Sequence, residues 1–348
     1  MSGICNIQVS FNKPLNIQIW NSAAEQNAQF WASTVFDEIQ RIYNKKPVYI
    51  EAYRNGEWMG GLKVLLSDYR KFRAIANRWF REAYIQGEVI CNNNSDSVEI
   101  VFTELVAFAN NWLRQQGVIS VKVSPYNARP SLLPSFGTAH QFKEFCINHL
   151  KIDAGLDNIF SAFHPKHRNL IRKAQKEGVD IVEEYDFELF YEKLLKNTYS
   201  DNENKLTDKA FLRTFCNVTQ KAGLMRMFFA IHNGQYCAAA IVISYGNMAE
   251  YSFGGNIKTN IGAGVLLQWH IIKELRQAGI HTYSLGQTAA NYDASNEKFS
   301  LGITRFKNRF GGDNIPVWSG VFVYRPVLKK FRDISLKMYL TLKKMSAR

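Results

Sequence analysis

The chain has 348 residues, 46% of them hydrophobic and 14% aromatic, which is enough apolar material for packed interiors and excludes a disordered or fibrous chain. That length favours two domains over a single core. The formal net charge of +13 is concentrated: residues 164–178 carry five Lys/Arg against one Glu and residues 325–348 carry eight against one Asp, so an anionic partner is expected, whether phosphate groups, RNA or an acidic membrane face.

The N-terminal stretch "MSGICNIQVSFNKPLNIQIW" has no basic region followed by an apolar core, so no secretory signal is expected, and no apolar run is long enough for a membrane span. A helix is expected next, then a hairpin. "PVYIEAY" and "GLKVLL" flank Asn55-Gly56, a strong hairpin signal because both turn residues take positive φ. An irregular stretch containing "KFRAIANRWFREAYIQG" precedes a second helix, which closes on "LRQQG" with Gly117 as its C′ residue and runs into the strand "VISVKVS". In the second half, Pro165 suits the first turn and Gly178 the stop of a short helix over 164–178. Its Leu170, Ile171 and Ala174 share one face with Phe163, and Arg168, Arg172 and Lys176 share another. A hairpin at Asn233-Gly234 follows, then the strand "MAEYSFGGN", the loop Gly262-Ala263-Gly264, a helix with Val265, Leu266, Trp269, Ile272 and Leu275 at close to 3.6 periodicity, and a strand after "LRQAG". The five cysteines (Cys5, Cys91, Cys146, Cys216, Cys237) form no CxxC pair, and His164 and His167 complete no ligand set. A reduced, cytoplasmic setting with free thiols and no metal is expected.

Two of these signals occur twice. "AYRNGEWMGG" (52–61) matches "AIHNGQYCAA" (230–239), and "LRQQGVISVKVS" (113–124) matches "LRQAGIHTYSLG" (275–286), in the same order at offsets of 178 and 162. The reading is a duplicated α/β module, α+β in detail: each copy a mixed, mostly antiparallel sheet flanked by helices, with parallel pairing where the last strand follows a helix. The expected domains are 1–150, 151–325 and a C-terminal helix over 326–348. The copies differ at the glycine loop, which only the second has. A glycine loop entering a helix presents backbone N–H groups and a positive dipole end to a phosphate.

Several side chains have the right types for group transfer. Glu250 on "MAEYSFGG" can act as a general base for an attacking amine, and Tyr283 on the later strand is a candidate acid. Arg168, Arg172 and Lys176 form a stripe able to meet phosphates alongside Gly262, Ala263 and Gly264. "TRFKNRFGG" alternates Arg305, Lys307 and Arg309 as a strand would, which puts the cations on one side and Phe306 on the other. Asn291 and Asp293 in "TAANYDASNEK", with Arg305, are expected at the acceptor entrance. The tail has Val327, Phe331, Ile334, Met338, Leu342 and Met345 at steps of four and three, an amphipathic cationic helix that either docks on the protein's own body or meets an anionic leaflet.

The order strand, Gly-x-Gly, helix, strand resembles the acyl-CoA-binding core of the GCN5-related N-acetyltransferase (GNAT) fold, with Thr259 where that family usually has Gln or Arg. "HPKHRNLIRKAQKEGVDI" (164–181) and "FKNRFGG" (306–312) resemble signature segments of the FemABX aminoacyltransferases, tandem GNAT-like proteins that add amino acids to the peptide of peptidoglycan precursors. The resemblance spans roughly residues 15–325. It implies transfer of an activated acyl or aminoacyl group onto an amine of an envelope saccharide or peptide precursor. The donor is a phosphorylated co-substrate, aminoacyl-tRNA or acyl-CoA, with no tightly bound cofactor. It also implies that Lys307, the Lys of Phe-Lys-x-x-Phe-Gly, steadies the oxyanion. The alternatives left open are an acyl-CoA-dependent N-acetyltransferase acting on an amino sugar and a non-catalytic RNA-binding module. The expected location is the cytoplasm, with peripheral contact at the inner membrane face through the tail.

Overall fold

Asn-Gly turns between apolar strands, and helices carrying one apolar stripe, build two layered units. A computed structural model describes residues 5–67, 79–92, 98–124, 136–137, 139–200, 206–257, 259–288 and 298–346. The chain divides into one unit made of residues 1–144 and 317–348 and another made of residues 145–316.

The first unit contains β1 (Asn6–Phe11), α1 (Ile17–Gln26), α2 (Val35–Ile42), β2 (Lys45–Arg54), β3 (Glu57–Ser67), β4 (Glu82–Gln86), β5 (Ile90–Cys91), α3 (Val98–Gln115) and β6 (Ser120–Ser124). Strands β1, β2, β3 and β4 pair antiparallel in that order, and β4 pairs parallel with β6. Val101, Leu105, Val106, Ala109 and Leu113 of α3 are fully buried in the core formed with Val48, Ile50, Leu62 and Val64. Asp37 of α2 is buried, accepting from Lys63 Nζ at 3.0 Å and from the Tyr49 hydroxyl, while Lys63 also donates to the carbonyl of Ser33 at 2.8 Å. Such a pair is tolerated because each charge finds several partners.

The second unit takes the end of β7 (Ala139–Lys151), then α4 (Leu156–Ala162), α5 (Pro165–Lys176), β8 (Asp180–Glu183), a π-helical turn over Leu189–Leu195, α6 (Lys209–Lys221), β9 (Met225–His232), β10 (Gln235–Tyr245), β11 (Met248–Asn256), α7 (Ala263–Gln277), β12 (Thr282–Thr288) and α8 (Lys298–Asn308). The chain closes with β13 (Asp313–Val323) and α9 (Pro326–Ser346). The strand order is β8-β9-β10-β11-β12-β7, antiparallel except for β11 with β12.

The second unit thus repeats the first. Both hairpins turn on Asn-Gly with positive φ, 51° and 84° at Asn55 and Gly56, 50° and 73° at Asn233 and Gly234. A helix joins the parallel pair in each. The strand beyond that pair has a different origin in the two units. Residues 320–323 of β13 lie antiparallel to β6, whereas residues 146–151 of β7 lie antiparallel to β12. For that reason the first unit recovers residues 317–348, α9 among them, from the far end of the chain.

Two sequence expectations are corrected here. The stretch expected to be irregular contains β4, the counterpart of β11, whose five residues are too few to announce themselves beside charged and aromatic neighbours. "TRFKNRF" is not a strand. Residues up to Asn308 form α8, so Arg305, Lys307 and Arg309 do not share a face as an alternating strand would place them.

Candidate active site

The parallel pair of the second unit opens. β11 and β12 are in register only at Met248/Thr282, Ala249/Tyr283 and Glu250/Ser284, after which β11 runs to Asn256 and β12 to Thr288 without pairing to each other. A bulge marks the divergence on each strand. Ser252 is the extra residue of β11 against Ile241–Val242, and Leu285 is the extra residue of β12 against His149–Asn148. Bulges bend a strand and re-aim its side chains. Side-chain alternation along the strand therefore holds from Met248 to Tyr251 and breaks at Ser252. The hydroxyl of Tyr251 fills the place where a side chain on Gly254 would sit.

Lys307 lies at this opening. Its ammonium donates to the carbonyl of Gln287 at 3.0 Å and lies 3.3 Å from where a Cβ on Gly286 would stand, a point 3.7 Å from the carbonyl oxygen of Tyr251. Gly286 has φ +79°, a conformation that L side chains rarely adopt, so this glycine both makes the bulge and leaves room for the amine. Burial lowers the Lys307 amine to about 8, and the Glu250 carboxylate partly offsets that by favouring the cation. Glu250 is half-buried on β11 beside Ser284.

The two signature segments hold each other. His164 at the start of α5 donates its backbone N–H to the carbonyl of Arg309 at 2.8 Å, and His167 Nε2 lies 3.0 Å from the carbonyl of Phe306. His167 is 2% exposed and packs against the rings of Phe306 and Phe310, with centroids 5.6 and 4.5 Å away. Burial, outweighing the hydrogen bond, lowers its imidazole to about 4, so the ring is neutral and its Nε2–H is the donor to Phe306. Phe310, fully buried against Phe163, and the turn at Gly311–Gly312, where a Cβ on Gly312 would meet the His149 carbonyl at 2.6 Å, fix the end of α8. Lys307 is thereby anchored from both sides of its helix.

The other end of α5 meets the glycine loop. Gly262 caps α7 with φ +82°, and a Cβ there would stand 2.7 Å from the Leu170 carbonyl. Lys173 Nζ donates to the carbonyl of Asn260 at 2.9 Å. Ala263 is buried, while a Cβ on Gly264 would meet only Ala238, at 3.9 Å. The N–H groups of Ala263 and Gly264 have no preceding turn to bond and form the positive end of the helix dipole. Of the basic stripe, Arg168 is turned to the carbonyl of Ser161 at 2.5 Å, Arg172 lies exposed over the ring of Phe160, and Lys176 is exposed.

Tyr283 is brought near Glu250 in register but not into the opening. It is fully buried, donates its hydroxyl to Gln268 Oε1 at 2.7 Å, and burial raises its pKa well above the ordinary tyrosine value. As placed, its proton serves the core rather than a substrate. Arg305 is on the exposed side of α8, and Asn291 and Asp293 lie outside the described residues. Sequence reasoning missed Gly286, His167 and Lys173. A glycine inside a strand pattern was the available signal for the first; His167 stood on the apolar face of a helix read mainly for its arginines.

Residues 162–294 match the family model for the acetyltransferase (GNAT) domain. No curated protein matches the sequence. Among solved structures, FemX is similar over 93% of this chain and 99% of its own, with a TM-score of 0.74 at 14% identity. L-PGS from Bacillus licheniformis is similar over 83% of this chain and 86% of its own, with a TM-score of 0.53 at 9% identity. A tandem GNAT protein from the clavulanic acid biosynthesis pathway is similar over 91% and 98%, with a TM-score of 0.51 at 10% identity. The opened parallel pair, the glycine loop and the doubled architecture agree with these likenesses: the chain has a tandem GNAT-like fold, similar to that of FemX.

Proposed function

We propose that the chain transfers an activated acyl or aminoacyl group onto an amine, in the opening between β11 and β12. The observation that supports this most directly is the Lys307 ammonium held beside Gly286 where the parallel strands part. Attack of an amine on the donor carbonyl forms the C–N bond and drives the carbonyl electrons onto oxygen. A fixed cation in a partly desolvated site stabilises that oxyanion more than water does, and at pH 7 an amine with a pKa near 8 is mostly protonated. Glu250 takes the proton the nucleophile gives up, and collapse of the oxyanion breaks the bond to the donor's sulfur or ribose oxygen, expelling a thiolate or alkoxide that takes up that proton. The donor's phosphates lie along the N–H groups of Ala263 and Gly264, with Lys173, Arg168, Arg172 and Lys176 on the neighbouring helix supplying positive charge. Arg305, exposed on α8, meets the acceptor, an amine-bearing envelope saccharide or peptidoglycan-type peptide precursor.

The likeness to FemX favours aminoacyl-tRNA as donor, and the match to the acetyltransferase domain model favours a second reading, acyl-CoA-dependent N-acylation of an amino sugar. Mass spectrometry of amino-sugar and peptide acceptors, incubated with each donor class, separates them. The expected result is an acceptor gaining one acyl or aminoacyl mass, lost in Gly264→Trp, whose Cβ meets only Ala238 at 3.9 Å and whose ring fills the donor's approach, with an unchanged thermal melt showing that the fold survives. Salt-sensitive RNA binding with no acyl transfer from either donor overturns the proposal.

A further inference from the structure

α9 meets its unit with the charged side. Glu82, first residue of β4 and 7% exposed, accepts from Ser120 Oγ at 3.1 Å and is paired with Arg332 and with Lys329 at 3.4 Å. Asp333 pairs with the same two cations, at 2.7 Å from Lys329 and 2.9 Å from Arg332. At 100° per residue the opposite side of the helix carries Val327, Phe331, Ile334 and Met338, spaced by four, three and four. These are 80%, 60%, 51% and 61% exposed. Phe331 stacks on Phe80 with centroids 5.9 Å apart, and the neighbouring Trp79 is 48% exposed. Lys330 and Lys337, exposed and two turns apart, run along one edge of the stripe, and the sequence adds Lys343, Lys344 and Arg348 beyond it.

A helix that docks on its own domain buries its apolar stripe and leaves charges in water. Here the arrangement is inverted, so folding of the chain does not account for the stripe. We propose that the outer face of α9, with Trp79, rests in the interfacial layer of an anionic lipid bilayer. Positive edge charge complements acidic headgroups, an exposed Trp stands next in sequence to the Phe80 that stacks on the stripe, and none of the described helices is long and apolar enough to cross. A second copy of the chain fits less well. The stripe is about 17 Å long and one helix wide, on the order of 200 Å², against roughly 800 Å² per partner in a stable protein interface.

The test is co-sedimentation of the full chain with vesicles of phosphatidylcholine alone and of equal parts phosphatidylcholine and phosphatidylglycerol. Binding is expected to the anionic vesicles only and to weaken with salt. Phe331→Ser with Ile334→Ser lowers partitioning about tenfold or more, and Lys330→Gln with Lys337→Gln lowers it about fivefold per lysine. All four positions are exposed, so unchanged thermal melts show that the fold survives. Equal binding to both vesicle types, no binding at low salt, or insensitivity to both double substitutions overturns the proposal. So does a concentration-dependent dimer that the Phe331/Ile334 pair abolishes while vesicle binding is absent.

Discussion

Lys307→Met removes the ammonium from the strand opening while keeping much of the side chain's length and packing. Loss of one preorganised oxyanion donor costs about a hundred- to a thousandfold in kcat, and that is the expected effect here. The pH dependence is more diagnostic. With the amine lowered to about 8 by burial, the working cation outnumbers the neutral form about ten to one at pH 7 and is outnumbered about ten to one at pH 9, so the Lys307-dependent rate falls roughly tenfold between them. Glu250 favours the cation, so Glu250→Gln shifts that alkaline limb to lower pH. Stability separates chemistry from folding. Because the folded pKa lies below the ordinary 10.5, the unfolded chain binds the extra proton between about 8 and 10.5, and the contribution of Lys307 to stability rises with pH across that window. In Lys307→Met that contribution is missing, so the profile is less steep than that of wild type, and stability at pH 7 is no lower than wild type. The measurements are kcat from pH 6 to 10 with the donor and acceptor found by mass spectrometry, and urea unfolding at pH 7 and 10. A variant within threefold of wild-type kcat, or an alkaline limb near 10, refutes the role given to this lysine.

Other perturbations test the surrounding parts. Gly286→Ala forces a Cβ into a φ of +79°, costing about 1–2 kcal/mol, and crowds an amine only 3.3 Å away; a kcat loss of about tenfold beyond the change in Tm is expected. His167, neutral and buried with a pKa of about 4, makes the fold acid-sensitive, because the unfolded ring takes a proton near 6.5 that the folded ring refuses. About 3 kcal/mol of stability is lost as pH falls from 6.5 to 4, and urea titrations of His167→Phe show a flatter profile over that range. In the first unit, Lys63→Met leaves Asp37 buried without its cation and costs about 3–5 kcal/mol by chemical denaturation, and adding Asp37→Leu recovers most of it.

The doubled fold was legible because its punctuation is local. Asn-Gly pairs and the Leu-Arg-Gln-x-Gly helix ends depend on a few φ angles that only certain residues adopt, and both survive in each copy. Parallel pairing followed from a strand entered from a helix. Lys307, Glu250 and the Gly262 loop were legible as residue types, and Lys307 and Glu250 are brought together where β11 and β12 part. What escaped was set by contacts distant in sequence. Phe306 and Phe310 face the core as a helical i, i+4 pair against His167, some 140 residues earlier, and that packing overrides the alternation that made the segment look like a strand. Tyr283 read as a strand tyrosine on either face; its burial depends on Gln268 of α7, which supplies the acceptor. The β13 pairing with β6 spans nearly two hundred residues, and no short-range pattern encodes it.

Duplication alone does not make two sites. In the first unit β4 and β6 stay in register over five residues, from Glu82/Ser120 to Gln86/Ser124, and β13 lies on β6 with no shift. In the second unit the ladder stops after three, and both strands bulge. At the repeat offset of 162, Gly286 corresponds to Ser124, which is still paired with Gln86. A parallel pair that remains zipped satisfies its backbone groups internally and leaves no gap for a substrate carbonyl or for a lysine to reach it. The bulges at Ser252 and Leu285 release those groups at one point, and the glycine that follows Leu285 gives the lysine its room. The difference between the halves is thus one of strand register: the second pair parts at its bulges, and the first stays closed along the same line.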